Sequence, residues 1–154
     1  MEIERKFLVG DPPDLGGYES DPIEQGYLAL ADDEGGAEVR LRSRADRLTL
    51  TAKSAGGEVR EEEEIGIDRD QFERLWRLTG GRRLAKRRYL IPYEGLTIEL
   101  DVYAGGLAGL IVAEVEFADE RAADQFVPPG WFGAEVTGKS EYLNETLATE
   151  GRPR

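Results

Sequence analysis

The chain contains no cysteine and no histidine. Their absence removes disulfides, Ser-His-Asp triads and cysteine nucleophiles. It also removes zinc, haem and iron–sulfur sites built on those side chains. No apolar run approaches the roughly 18 residues of a membrane span, and the N-terminus lacks the basic and apolar regions of a secretory signal. No G-x-G-x-x-G run opens a helix. Positive charge is in deficit, with 20 Lys and Arg against 32 Asp and Glu, a net charge of −12. That balance sets the chain against broad binding to nucleic acid and against anionic membranes. A cytoplasmic setting is expected. Any catalysis must come from carboxylates, lysine, arginine, tyrosine, hydroxyls and an oxygen-ligated metal.

What remains is strongly patterned. The 154 residues, 40% of them hydrophobic, suit one domain over residues 1–148 with a flexible tail at 149–154. Extended backbone sends successive side chains to opposite faces. In residues 1–9, Glu2, Glu4 and Lys6 therefore share one face, and Ile3 and Phe7 take the other. Two carboxylates about 7 Å apart along a strand, followed by an ammonium, can hold a hard divalent cation beside an anion. Taken alone, such a strand is more often a solvated edge.

The pattern recurs. Gln25 and Tyr27 share a face of residues 23–30, and Arg40 and Arg42 alternate with Val39 and Leu41. Thr49, Thr51 and Lys53 alternate with Leu48 and Leu50. In residues 58–67, Arg60, Glu62 and Glu64 have one parity, and Glu61 and Glu63 the other. Lys86 pairs with Arg88, Glu99 with Asp101 and Tyr103, and Glu114 with Glu116. The period shifts to helical over residues 68–80, where Asp68 and Gln71 form a predicted capping box and Phe72, Leu75 and Trp76 a predicted apolar stripe. A short helix is predicted at 120–126 and an amphipathic one at 137–148.

Alternation fixes the faces and not which face is concave. A sandwich would wet the charged faces; a closed antiparallel barrel would turn them inward and cover its apolar outside with helices. Two features favour the second. The predicted helices need an apolar sheet surface, and the charges are segregated into purely basic and purely acidic pairs rather than interspersed. Basic pairs cradle phosphates, and acidic pairs hold Mg²⁺ or Mn²⁺. Together they describe a polyphosphate–metal site.

The opening Glu2-x-Glu4-x-Lys6 resembles the signature of the CYTH superfamily, the triphosphate tunnel metalloenzymes. So do Gln25-Gly26-Tyr27-Leu28, Val39-Arg40-Leu41-Arg42, Thr51-Ala52-Lys53, Arg60-x-Glu62-x-Glu64, Lys86-x-Arg88-Tyr89, Glu99-x-Asp101, Ala113-Glu114-Val115-Glu116, and Glu135-Val136-Thr137-Gly138 with Tyr142 and Asn144, in family order. The resemblance implies an α+β fold: a closed eight-stranded antiparallel barrel forming a tunnel with a charged interior, and helices outside. It implies hydrolysis of inorganic triphosphate with Mg²⁺ or Mn²⁺. Glu2, Glu4 and Glu116 would bind metal, assisted by Glu114 and Asp101. Lys6, Arg40, Arg42, Lys53, Arg60, Lys86 and Arg88 would bind the phosphate chain. Glu4, Lys6, Arg40 and Lys86 are the catalytic candidates, and Tyr27, Glu62, Glu64 and Glu99 complete the lining. The expected partner is a small-molecule triphosphate, and a homodimer is left open. The rivals are a class IV adenylate cyclase, a nucleoside or thiamine triphosphatase, and a non-catalytic polyphosphate-binding module. Glu61, Glu63 and Lys139 depart from the family's usual residues, outside the proposed lining.

Overall fold

The computed structural model describes residues 3–31, 36–54 and 61–153. Glu2 and Arg60 lie outside them, as do most residues of the turns that the sequence predicts at 32–36 and 54–57. Eight antiparallel strands form one sheet: β1 Ile3–Leu8, β2 Glu19–Ala29, β3 Glu38–Arg44, β4 Arg47–Lys53, β5 Glu62–Gly66, β6 Arg83–Tyr93, β7 Leu96–Tyr103 and β8 Ile111–Phe117. The alternating stretches of the sequence become these strands, as period-two patterning requires. The sequence predicts a strand over residues 84–91 ended by Pro92, but β6 runs through Pro92. Pro92 lies beyond the last β2 partner of β6, the Glu19–Leu90 pair, where a strand tolerates proline.

The expected closed barrel is not what forms. The strand order is β1-β8-β7-β6-β2-β3-β4-β5, and β1 and β5 are its two edges. Backbone hydrogen bonding explains why β1 is not free to close the ring. The segment 133–137 runs along its outer edge: Leu8 N donates to Ala134 O at 2.9 Å, Gly133 N to Leu8 O at 2.7 Å, and Val136 N to Lys6 O at 2.8 Å. Lys6 N donates to Thr137 Oγ1 at 3.0 Å. A strand has two edges, and both edges of β1 over residues 6–8 are taken. β5, at the other end, is short and exposed throughout.

The sheet is nevertheless curled, because a single cavity is lined from all eight strands. Its outer face is apolar and covered in two places. α1, Arg69–Trp76, packs Phe72 onto Leu41 and Leu48. It starts with the predicted capping box: the Asp68 carboxylate accepts from Gln71 N at 2.8 Å, and the Gln71 side chain accepts from Asp68 N at 2.9 Å. The 3-10 turn after α1 comes so close to β2 that a Cβ at Gly26 would sit 2.8 Å from Thr79 Cγ2 and from Trp76 Cζ3. α2, Glu120–Gln125, and the aromatic segment containing Phe126, Trp131 and Phe132 cover Ile98, Leu100, Ala113 and Val115.

The C-terminus differs from the single helix expected at 137–148. It is a 3-10 turn, Ser140–Tyr142, followed by α3, Asn144–Glu150. α3 does not sit on the outside. Its Leu147 and Ala148 pack with Tyr27, Leu84, Tyr103 and Val112. Those four side chains share parity with the polar and charged lining residues of their strands, so α3 stoppers one end of the concave face with an apolar plug. No helix is long and apolar enough to cross a membrane among the described residues.

Candidate functional site

Beyond the α3 plug the concave face turns charged, and strand register decides who meets whom. Glu4 lies opposite Glu116, and Lys6 opposite Glu114. Arg88 lies opposite Asp101, Gln25 opposite Arg42 and Tyr27 opposite Arg40. Thr51 faces Glu64, and Lys53 faces Glu62. The result is a cavity of about 270 Å³. Lys6, Arg40, Arg42, Lys53 and Arg88 line it with Tyr27, as do Glu4, Glu62, Glu64, Glu99, Glu114 and Glu116. Glu61 and Glu63 are outside the lining. Glu2 and Arg60 lie outside the described residues.

Two expected members sit beneath the lining instead of in it. Asp101 is 4% exposed and Lys86 3%. Lys86 Nζ is 2.7 Å from Asp101 Oδ2. Arg88 grips the same carboxylate, Nε to Oδ1 at 2.8 Å and Nη2 to Oδ2 at 2.9 Å, and sends Nη1 to Glu99 at 2.9 Å. Both Asp101 oxygens are therefore committed to cations. Burial alone would raise the Asp101 pKa, but Lys86 and Arg88 outweigh it and hold the carboxyl at about 2. Burial lowers Lys86 to about 8 in spite of Asp101. It acts against Arg88 too, yet the hydrogen bonds to Asp101 leave that guanidinium above its ordinary value.

The β3 side is balanced differently. Arg42 donates from Nε at 3.0 Å and Nη2 at 2.8 Å to the Gln25 side-chain carbonyl. Burial, then the neighbouring Arg40 and Arg88, lower it to about 10. Arg40 is 7% exposed, and its buried Nε has no hydrogen-bond partner. An unsatisfied buried donor is costly, and an anion in the cavity would supply the missing acceptor. Burial, then Glu38, push the Tyr27 hydroxyl up and keep it neutral.

Other residues complete the site. Glu38 lines the cavity; it shares parity with Arg40 and Arg42, and that parity is the sequence signal for its place. Leu143, Asn144 and Glu145 line it from the start of α3. Asn144 falls within the family resemblance, but no periodicity announces a role for any of the three. The Asn144 side-chain oxygen accepts from the Tyr103 hydroxyl at 2.6 Å and from Lys86 Nζ at 3.4 Å. Lys6 Nζ donates to Tyr142 O at 3.2 Å and lies 3.1 Å from Glu114.

One further run invites a phosphate reading. Residues 133–140 spell G-x-x-x-x-G-K-S, the pattern of a phosphate-cradling loop. The fold gives it another task. Gly133 N and Val136 N bond to β1, and no strand-to-helix turn surrounds them.

For a cation, the donors are hard carboxylate oxygens, which suit Mg²⁺ or Mn²⁺. Among the described residues no three acidic side chains converge closely enough to hold an ion by themselves. The Glu4–Glu116 pair fits a cation that completes its shell with substrate and water oxygens, the usual habit of Mg²⁺.

Comparisons with known proteins identify the family. A CYTH domain model matches residues 1–135. The chain is 50% identical over 149 residues to an inorganic triphosphatase of Nitrosomonas europaea, covering 96% of each. It is 35% identical over 149 residues to an inorganic triphosphatase of Acetivibrio thermocellus, covering 95% of this chain and 92% of the other. A crystal structure of an inorganic triphosphatase superposes with a TM-score of 0.77 at 46% identity, over 96% of this chain and 94% of that one. With the family model spanning residues 1–135 and a relative 50% identical over 96% of the chain, this protein belongs to the CYTH domain family.

Proposed function

We propose that this protein hydrolyses inorganic triphosphate to pyrophosphate and phosphate. The observation that carries the reading is one cavity lined by both the cations Lys6, Arg40, Arg42, Lys53 and Arg88 and the cross-strand carboxylates Glu4 and Glu116. The cations suit a phosphate chain, and the Glu4–Glu116 pair suits a cation that accompanies it. The relatives named inorganic triphosphatase, at 50% and 35% identity, support the same substrate.

The chain's own groups suffice for binding and orientation. Arg40, Arg42, Lys53 and Arg88 bind the phosphate oxygens through charge-assisted hydrogen bonds. They also stabilise the charge that develops on the leaving pyrophosphate. Glu4 and Glu116 would hold the divalent cation, whose chemistry is to neutralise phosphate charge and lower the pKa of nearby water. A water oxygen attacks the terminal phosphorus in line as the bond to the bridging oxygen breaks. A lining carboxylate, Glu4 first among them, orients that water. Lys86 and Asp101 act from behind, holding Arg88 in place. No protein nucleophile is needed.

The alternative of nucleotide cyclisation finds less support in the lining. Tyr27 is the sole aromatic there among the described residues. It is 1% exposed and presents no open ring face for a base. The deciding experiment is phosphate release from tripolyphosphate, ATP and thiamine triphosphate, each with Mg²⁺ and with Mn²⁺, with cyclic AMP measured in parallel. Tripolyphosphate should be cleaved fastest and only with metal. Inert tripolyphosphate with cyclic AMP formed from ATP would overturn the reading.

A further inference from the structure

The cations in and just beneath this cavity are backed in two ways. Arg88 and Lys86 rest on the Asp101 carboxylate, and Lys6 on Glu114. Their charges are largely compensated within the protein. Arg42 rests on Gln25, an amide. Gln25 is fully buried, at 0% exposure, and is the direct cross-strand partner of Arg42. Its side-chain carbonyl takes two guanidinium donors, and its Nε2 donates to Tyr27 Oη at 3.2 Å. With both ends of the amide engaged, its orientation is set.

A glutamate at this position would be the same size and would make the same fork of hydrogen bonds. It would also cancel the Arg42 charge. Among the described residues Arg42 has no ion pair, and Arg40 and Arg88 crowd it with like charge. Leaving a buried guanidinium without a counter-ion is unfavourable. That arrangement serves when an anionic ligand is to supply the missing charge. We infer that Gln25 is a positioning residue for phosphate binding. It fixes the plane of the Arg42 guanidinium through a neutral acceptor and so leaves the arginine's charge uncompensated for the substrate. Gln25 lies behind Arg42 and does not touch the cavity. The inference rests on the triphosphate reading above.

The test is titration calorimetry with tripolyphosphate in the absence of metal, together with steady-state kinetics and thermal melts. In Gln25→Glu the acceptor geometry is kept and an ion pair is created. Its Tm should equal or exceed that of the wild type. Its Kd and KM for tripolyphosphate should rise about tenfold, the scale of losing one hydrogen bond to a charged group. A residue that merely filled space and bonded Arg42 would show no such rise, because both features survive. A rise under threefold in the folded variant overturns the inference. Gln25→Met keeps the volume and the neutrality but removes the acceptor, and it decides the matter if Gln25→Glu does not fold. Its KM should rise as Arg42 loses its fixed plane, and wild-type KM there also overturns the inference. If wild-type protein itself neither binds nor cleaves tripolyphosphate, the proposed function has failed, and the role of Gln25 falls with it.

Discussion

Glu4 on β1 stands directly opposite Glu116 on β8 in antiparallel register, and both side chains reach the same cavity. Like charges placed directly opposite on neighbouring strands destabilise a sheet. A divalent cation between them reverses the sign of that interaction. Glu116→Gln should therefore leave the Tm in chelator unchanged or higher, and should lose most of the Tm rise that Mg²⁺ gives the wild type. Glu4→Gln and Glu116→Gln should each lower metal-dependent turnover by roughly 100-fold, the scale of one preorganised electrostatic group. Paired melts in chelator and in Mg²⁺ check this. A full Mg²⁺ response in both variants would remove the pair from the metal site.

Arg88 and Arg40 should part company on stability. Arg88 makes three hydrogen bonds to Asp101 and Glu99, and its loss strands part of a buried carboxylate. Arg88→Ala should cost about 1–3 kcal/mol. Arg40 has an unsatisfied Nε and sits in like-charged company, so Arg40→Ala should hold or raise the Tm. Both should weaken tripolyphosphate binding. Denaturant melts beside calorimetry separate the two effects. Equal stability loss in both variants would contradict the difference in backing.

On β5 the four consecutive glutamates are sorted by register. Glu64 accepts from Thr51 Oγ1 at 2.8 Å, and Glu62 lies 3.9 Å from Lys53 Nζ. Glu62→Gln and Glu64→Gln should change KM or metal dependence. Glu61→Gln and Glu63→Gln should leave kinetics alone and shift stability by no more than about 0.5 kcal/mol. Steady-state kinetics of the four proteins would expose the opposite pattern at once.

The segment that covers β1 carries an acid-sensitive clamp. Arg5 donates to both Glu135 oxygens, at 3.0 and 2.7 Å. Its hydrogen bonds bring the Glu135 carboxyl from 4.5 down to about 2. A carboxyl with a depressed folded-state pKa binds fewer protons folded than unfolded. Its stabilisation is thus full above about pH 4.5 and is lost as pH falls towards 2. Because Glu135 is 38% exposed, screening keeps the effect small. The Tm gap between wild type and Glu135→Gln should be constant from neutral pH to about 4.5 and close near pH 2. A gap that persists unchanged at pH 2 would show that the pair does not set it.

The strand-by-strand alternation is legible in the amino-acid sequence alone, and it places most of the lining. A side chain's face follows from parity, which is why Glu62 and Glu64 can be told from Glu61 and Glu63 within a run of identical residues. The Asp68–Gln71 capping box is equally legible, because both partners lie within one helical turn. Local rules carry these readings, and they need no knowledge of distant residues.

Three features depend on distant residues. Closure fails because residues 133–137 bond to the outer edge of β1, and no periodicity in β1 reports what will lie beside it. Asp101 shares parity with Glu99 and so resembles a site carboxylate. Its depth, beneath Arg88 and against Lys86, is set by how the sheet curls. The plug end of the cavity comes from α3, whose Leu147 and Ala148 choose the concave face over the outer one. Which side chains share a face, and which charges they carry, follows from the order of residues alone, since backbone geometry imposes that residue by residue. Which carboxylates stay available and which are spent on neighbouring cations was decided only by tertiary structure. Hydrogen bonding and desolvation act over a few ångströms of space, across as many as 136 positions of sequence between Lys6 and Tyr142.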